Sequence, residues 1–151
     1  MKTLYLIRHA KAIAQEEGLD DFERPLCPQG EKDARFMGGL LRERHILPDL
    51  IVSGSAPRAL ETAHILAHEA GYWVHKIRIE ERLYTENSAE GMLDILKGEA
   101  EGVGSLMMVG HDPAVSDLSA MLIPGFQFAL PAGGVVSLSL PIIAWDEAKP
   151  H

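Results

Sequence analysis

Arg8 and His9 directly follow the apolar run Leu4-Tyr5-Leu6-Ile7, Arg58 follows Ser53 and Pro57, and His111 follows Val109-Gly110. Arginine presents a planar fork of donors that matches a phosphate. A neutral imidazole nitrogen is a competent nucleophile near pH 7. Together these residue types suit the capture of a phosphoryl group and its transfer to a histidine. Taken singly, each has an ordinary structural reading: Arg58 as a helix-terminal ion pair, His111 as a hydrogen-bonded loop residue, Arg8-His9 as a common strand end. The case rests on their meeting in one place.

The elements between them predict that they meet. Lys2 to Arg8 reads as a central strand, apolar almost throughout and so covered on both faces. Residues 13–30 are loop-like, punctuated by Pro25, Pro28 and Gly30. A helix is predicted from position 29 or 30 to 44, with Ala34, Met37, Leu40 and Leu41 on one face. Leu50 to Ser53 reads as a short strand. Ser55 followed by Pro57 is a helix-start signal, and Ala59, Leu60, Ala63, Leu66, Ala67 and Ala70 form the apolar face up to Gly71. Residues 74–79 read as an edge strand, 88–97 as a helix and 105–109 as a buried strand. Asp112-Pro113 opens a helix over 114–122, and 135–140 and 142–145 read as the last strands. Such alternation predicts a mainly parallel sheet with helices on both faces, which places ligands outside the carboxyl ends of the strands. Arg8-His9, Ser53 with Arg58, and His111 all fall at those ends. Two helix N-termini there add unpaired N–H groups and a dipole that favours an anion.

Composition narrows the classes. The 151 residues make one domain. Lys and Arg number 14 against 22 Asp and Glu, a formal net charge of −8, which disfavours broad nucleic-acid binding. The single cysteine fits a reducing compartment. Residues 118–145 carry no charge, yet Pro124, Pro131 and Pro141 with Gly125, Gly133 and Gly134 break any spanning helix. No targeting segment is visible, so a cytoplasmic protein with no membrane partner is expected. His64 and His68 share a helix face without a supporting ligand set, and no Walker-type glycine loop is present.

Four segments carry a resemblance. Leu6-Ile7-Arg8-His9-Ala10 resembles the Arg-His-Gly signature of the histidine phosphatase superfamily, the phosphoglycerate mutase-like fold. Residues 53–62 (SGSAPRALET) resemble its second segment, with Arg58 and the Glu61-Thr62 pair. Val109-Gly110-His111-Asp112-Pro113 resembles the third. Asp21, Arg24, Pro25, Leu26 and Gly30 match the DxxRPL…G segment of the small SixA-type phosphohistidine phosphatases. The resemblance covers nearly the whole chain. It implies a three-layer α/β/α sandwich and one histidine phosphatase domain over residues 1–151. His9 would be the phosphorylated nucleophile, and Arg8, Arg58 and His111 would hold the phosphoryl oxygens. Asp21 would assist as acid or base, Arg24 would position its loop or extend the positive surface, and Ser53 and Glu61 would support. No metal or other cofactor is implied. Ala10 stands where glycine is usual, and Cys27 where threonine often follows the RPL run.

Mutases and many acid-type phosphatases of the superfamily carry a glutamate general acid between the second and third segments. Glu80, Glu81 and Glu86 lie there without a supporting pattern. A weak acid suits phosphohistidine, which leaves as imidazole, a group whose conjugate acid has a pKa of about 6.5. It suits an alkoxide poorly, water itself having a pKa of about 15.7. Short loops between the segments predict an open pocket. The expected substrate is therefore a histidine-phosphorylated protein, a signalling or phosphotransferase-system domain. The alternatives are a small-molecule phosphomonoesterase on the same scaffold and a non-catalytic phosphoprotein-binding module; a mutase, with no evident lid, is expected least.

Overall fold

The computed structural model describes residues 1–16 and 18–151. In chain order it contains β1 (Lys2–Arg8), α1 (Pro28–Glu43), β2 (Leu50–Ser53), α2 (Pro57–Ala70), β3 (Arg78–Ile79), α3 (Arg82–Thr85), α4 (Ala89–Lys97), β4 (Ser105–Gly110), α5 (Ala114–Leu122) and β5 (Val135–Leu140), with 3₁₀ turns at Asp21–Glu23, Val74–Lys76 and Trp145–Glu147. The five strands form one sheet in the order β3-β2-β4-β1-β5, parallel except for β5.

Strand alternation divides the core into two layers, because successive side chains point to opposite faces. Leu4, Leu6, Val52, Leu106 and Met108 pack on one face against α4, α5 and the buried Trp145. Ile7, Ile51, Met107 and Val109 pack on the other against α1 and α2, through Leu41, Ala59, Ala63, Leu66 and Ala67. The result is the three-layer α/β/α sandwich with a mainly parallel sheet that the alternation predicts. Among the described residues no helix is long and apolar enough to cross a membrane.

This layering fixes where the site lies. The neighbouring strands β1 and β4 send their chains to opposite faces, β1 towards α1 and β4 into α5. They open a crevice at their carboxyl ends, the usual ligand position in such sheets. Arg8 is in register with Gly110, so His9 and His111 emerge side by side.

Three expectations change. Residues 74–79 do not form one edge strand, only a 3₁₀ turn and the two-residue β3. The Tyr72 hydroxyl accepts from Ile51 N at 3.3 Å and donates to Lys76 O at 3.1 Å, taking up β2 edge hydrogen bonding that a longer strand would use. Residues 142–145 are not a strand: the Glu147 carboxylate accepts from Ile143 N and Ala144 N at 2.9 and 2.6 Å, withdrawing both donors from any ladder. At α2 the residue before the first turn is Ala56 rather than Ser55, with no side-chain cap, and Pro57 opens the helix.

Candidate active site

His9 and His111 lie with ring centroids 5.0 Å apart, edge to face. The His9 backbone N–H donates to Gly110 O at 3.0 Å, which extends the β1–β4 ladder up to the site. His9 Nδ1 is 2.7 Å from Ala10 O. A carbonyl only accepts, so Nδ1 carries the proton and Nε2 keeps its lone pair. Burial, with the charges of Arg58 and Arg8, lowers the His9 pKa to about 4, against the partial offset of that hydrogen bond. The ring is therefore neutral at pH 7 with a free nitrogen.

The two arginines are held by backbone and carboxylate groups. Arg8 Nη1 donates to Leu130 O at 2.6 Å and lies 3.7 Å from Asp112 Oδ2. Both Asp112 oxygens accept from the Ser116 hydroxyl, which in turn accepts from Leu130 N at 2.9 Å, so one partly buried polar cluster ties Arg8 to α5. Arg58 lies in the first turn of α2 and is 5% exposed. Its Nη1 donates to Asp21 O at 2.7 Å and its Nη2 to Asp21 Oδ2 at 3.0 Å. The Nε atoms of Arg8 and Arg58 and Nε2 of His111 are buried without a partner among the described residues. Buried polar atoms without a partner are costly, and the three side chains that carry them border one space.

That space is a cavity of about 660 Å³ lined by Arg8, His9, Asp21, Arg24, Arg58 and His111, together with Lys11, Tyr84, Asn87 and Asp112. All six site residues expected from the sequence thus reach one cavity. Arg24 Nε and Nη2 donate to Asp21 Oδ1 at 3.1 and 2.8 Å, and its Nη1 to Ile13 O at 2.9 Å, so it shapes the loop as well as lining the cavity. The Arg24 hydrogen bonds, then Arg58, hold the Asp21 carboxyl below its ordinary pKa. The pair Glu61-Thr62 supports from behind: Glu61 accepts from Leu26 N at 3.1 Å, while Thr62 accepts from Ala10 N at 3.0 Å and donates to Arg58 O at 2.7 Å. Ala10 is fully buried, and it packs with Leu26 and Ala34.

His111 is not the standing cation that would best hold an anion. Burial above all, then His9 and Arg58, lowers its pKa to about 3, so it is neutral at pH 7. Tyr84, Asn87 and Asp112 belong to the site without having been singled out by type. Asn87 donates to Asp112 O at 2.7 Å and accepts from Ala114 N at 3.2 Å, clamping the turn after His111. Tyr84 and Asn87 have no local signature; only the fold brings α3 to this edge. Glu80, Glu81 and Glu86 do not line the cavity. His64 and His68 lie on α2 beside a separate groove with Arg35 and Glu69.

Residues 4–92 match the sequence model of the histidine phosphatase superfamily (branch 1). An uncharacterized protein of Mycobacterium tuberculosis is 33% identical over 117 residues, 77% of this chain and 69% of that protein. The 2,3-bisphosphoglycerate-dependent phosphoglycerate mutase of Thermobifida fusca is 39% identical over 90 residues, 56% of this chain and 36% of the mutase. Among solved structures, a candidate phosphohistidine phosphatase SixA from Agrobacterium tumefaciens superposes with a TM-score of 0.77 at 29% identity, covering 90% of each chain. A protein histidine phosphatase SixA complexed with tungstate shares the fold, with a TM-score of 0.75 at 20% identity over 91% of this chain and 88% of that one.

Proposed function

The chain belongs to the histidine phosphatase superfamily, and from that premise we propose that it hydrolyses phosphohistidine on proteins through a phosphorylated His9, with residues 1–151 acting as one catalytic domain. The observation that carries this reading is the absence of a poised acid beside a complete clamp. Among the described residues, Asp21 and Asp112 are the carboxylates lining the cavity, and both are engaged, Asp21 by Arg24 and Arg58 and Asp112 by Ser116. Neither is set to protonate an alkoxide. Phosphohistidine does not ask for that proton.

In the first step the lone pair of His9 Nε2 forms a bond to phosphorus. The substrate P–N bond breaks, and its electron pair stays on the substrate ring, which leaves as neutral imidazole when its other nitrogen carries a proton. Phospho-His9 is then an imidazolium whose Nδ1–H remains on Ala10 O. Arg8, Arg58 and His111 offset the negative charge on the equatorial oxygens as they approach the transition state. In the second step a water oxygen bonds to phosphorus, the P–Nε2 bond breaks, and His9 recovers its lone pair. The water proton passes to the ionised Asp21 or to the departing phosphate. Asp21, with its low pKa, is an acceptor that orients water rather than a general acid.

A partner's phosphorylated side chain can enter this open cavity, and histidine-phosphorylated signalling or phosphotransferase-system domains are the substrates proposed, in the cytoplasm. The test is a panel of phosphohistidine peptide, phosphoserine peptide, sugar phosphate and nucleotide phosphate, run with wild type and His9→Ala. Preferred turnover of phosphohistidine, lost in His9→Ala, supports the reading. Equal rates on phosphoserine and phosphohistidine would return the chain to a general phosphomonoesterase. Tight binding without turnover, and no label on His9 after an alkaline quench, would make it a binding module.

A further inference from the structure

Tyr84, on α3, lines the cavity that holds Arg58 and His111. Its ring lies 5.7 Å from the Arg58 guanidinium and 5.5 Å from the His111 ring, edge to face. Phe22, 37% exposed on the turn that carries Asp21, also meets Tyr84, at 5.0 Å and edge to face. The Tyr84 hydroxyl donates to Asp21 Oδ2 at 3.2 Å, so the ring is fixed at both ends. Two aromatic rings anchored beside a strongly polar cavity serve neither the core nor the phosphoryl oxygens. Tyr84 lines the same cavity as Arg58 and His111, so a phosphoryl group held by those two residues would stand within reach of its ring.

We propose that Tyr84, braced by Phe22, is a specificity-determining wall that receives the flat ring of the substrate's leaving group, favouring imidazole over aliphatic groups. The physical basis is that paired rings attract beyond their buried area, by about 0.5–1.5 kcal/mol, or roughly 2- to 13-fold in rate. A protonated imidazole gains further from lying against an aromatic face. The proposal rests on the phosphohistidine reading for its natural substrate, but the selectivity for flat leaving groups is measurable without it.

The experiment compares wild type, Tyr84→Phe and Tyr84→Leu on two substrate pairs: phosphohistidine against phosphoramidate, and phenyl phosphate against ethyl phosphate. The readout is the kcat/KM ratio within each pair, which cancels any general damage to the Arg58 and Asp21 geometry. Tyr84→Leu is expected to lower both ratios by about 5- to 10-fold, with Tyr84→Phe keeping them within about twofold because the ring remains. Ratios unchanged in Tyr84→Leu, or lowered as much in Tyr84→Phe, would overturn the wall and leave Tyr84 a support for Asp21. If wild type does not prefer phosphohistidine yet the phenyl-to-ethyl ratio still falls in Tyr84→Leu, the wall stands and the phosphohistidine assignment fails.

Discussion

The Asp21 carboxylate sits on the Arg58 guanidinium, Oδ2 3.0 Å from Nη2, while the Asp21 carbonyl accepts from Nη1 at 2.7 Å. An internal anion therefore occupies a cation that a phosphoryl group needs, and binding must share or displace it. Asp21→Asn removes the charge and keeps the shape. Inhibition by sulfate is expected to tighten about three- to fivefold, the worth of a partly exposed ion pair, while kcat falls because the hydrolytic water loses its acceptor. Sulfate inhibition that stays the same or weakens would show that Asp21 does not compete for Arg58.

Arg58 and Arg24 differ in what they touch. Both donate to Asp21, but Arg58 is buried and keeps an unpartnered Nε, whereas Arg24 is more exposed and spends Nε, Nη1 and Nη2 on Asp21 and Ile13. Arg58→Lys keeps a charge but loses the fork, and kcat is expected to drop by about 10²–10³. Arg24→Ala is expected to cost less than about tenfold, and circular dichroism checks that both variants fold. Equal losses would assign Arg24 a direct hold on the phosphoryl group.

His111 links anion binding to pH. Its pKa is lowered to about 3; a dianion beside it would raise that value, so binding takes up a proton wherever the pH lies between the two. Sulfate, which does not titrate in this range, is expected to bind more tightly as pH falls from 7 towards 4. His111→Asn should reduce the dependence, leaving the part due to His9, whose pKa of about 4 the same anion raises. Titration calorimetry in two buffers reads the proton uptake directly, and zero uptake in wild type would mean that His111 stays neutral throughout.

Gly30 is the hinge on which the Asp21 loop is seated. A Cβ built there would lie 2.0 Å from Lys11 O, a backbone atom that cannot swing aside. The same stretch is stitched by Cys27 N to Lys11 O at 3.0 Å and Ile13 N to Pro25 O at 2.9 Å. Gly30→Ala is expected to destabilise by about 1–3 kcal/mol, the usual cost of overpacking, and to lower activity through the displaced Asp21 and Arg24. Gly39, with open space around its Cβ position, is the control that should tolerate alanine. Equal melting temperatures for the two variants would refute the seating.

Much of this molecule is legible in the chain. Residues 2–8 and 50–53 are apolar enough to be recognised as strands without tertiary information, and the helices over 57–70 and 114–122 announce themselves by proline at the start and a repeating apolar face. Arg8, His9, Arg58 and His111 are findable because each sits where a strand ends and the chain turns, a position that local pattern reveals. Segments whose backbone is satisfied by distant side chains are not legible in this way. Tyr72 and Glu147 take hydrogen bonds that apolar patterning assigned to strands at 74–79 and 142–145.

Periodicity and residue chemistry are local properties, so the chain specifies the alternation of strands and helices and the kinds of donor at the strand ends without reference to the fold. Folding sets the protonation of the two histidines, since burial and neighbouring charge lower their pKa values. It also decided that Asp21 pairs with Arg58 and that Tyr84 walls the cavity, because those neighbours are brought together by crossing connections of a parallel sheet and share no stretch of chain.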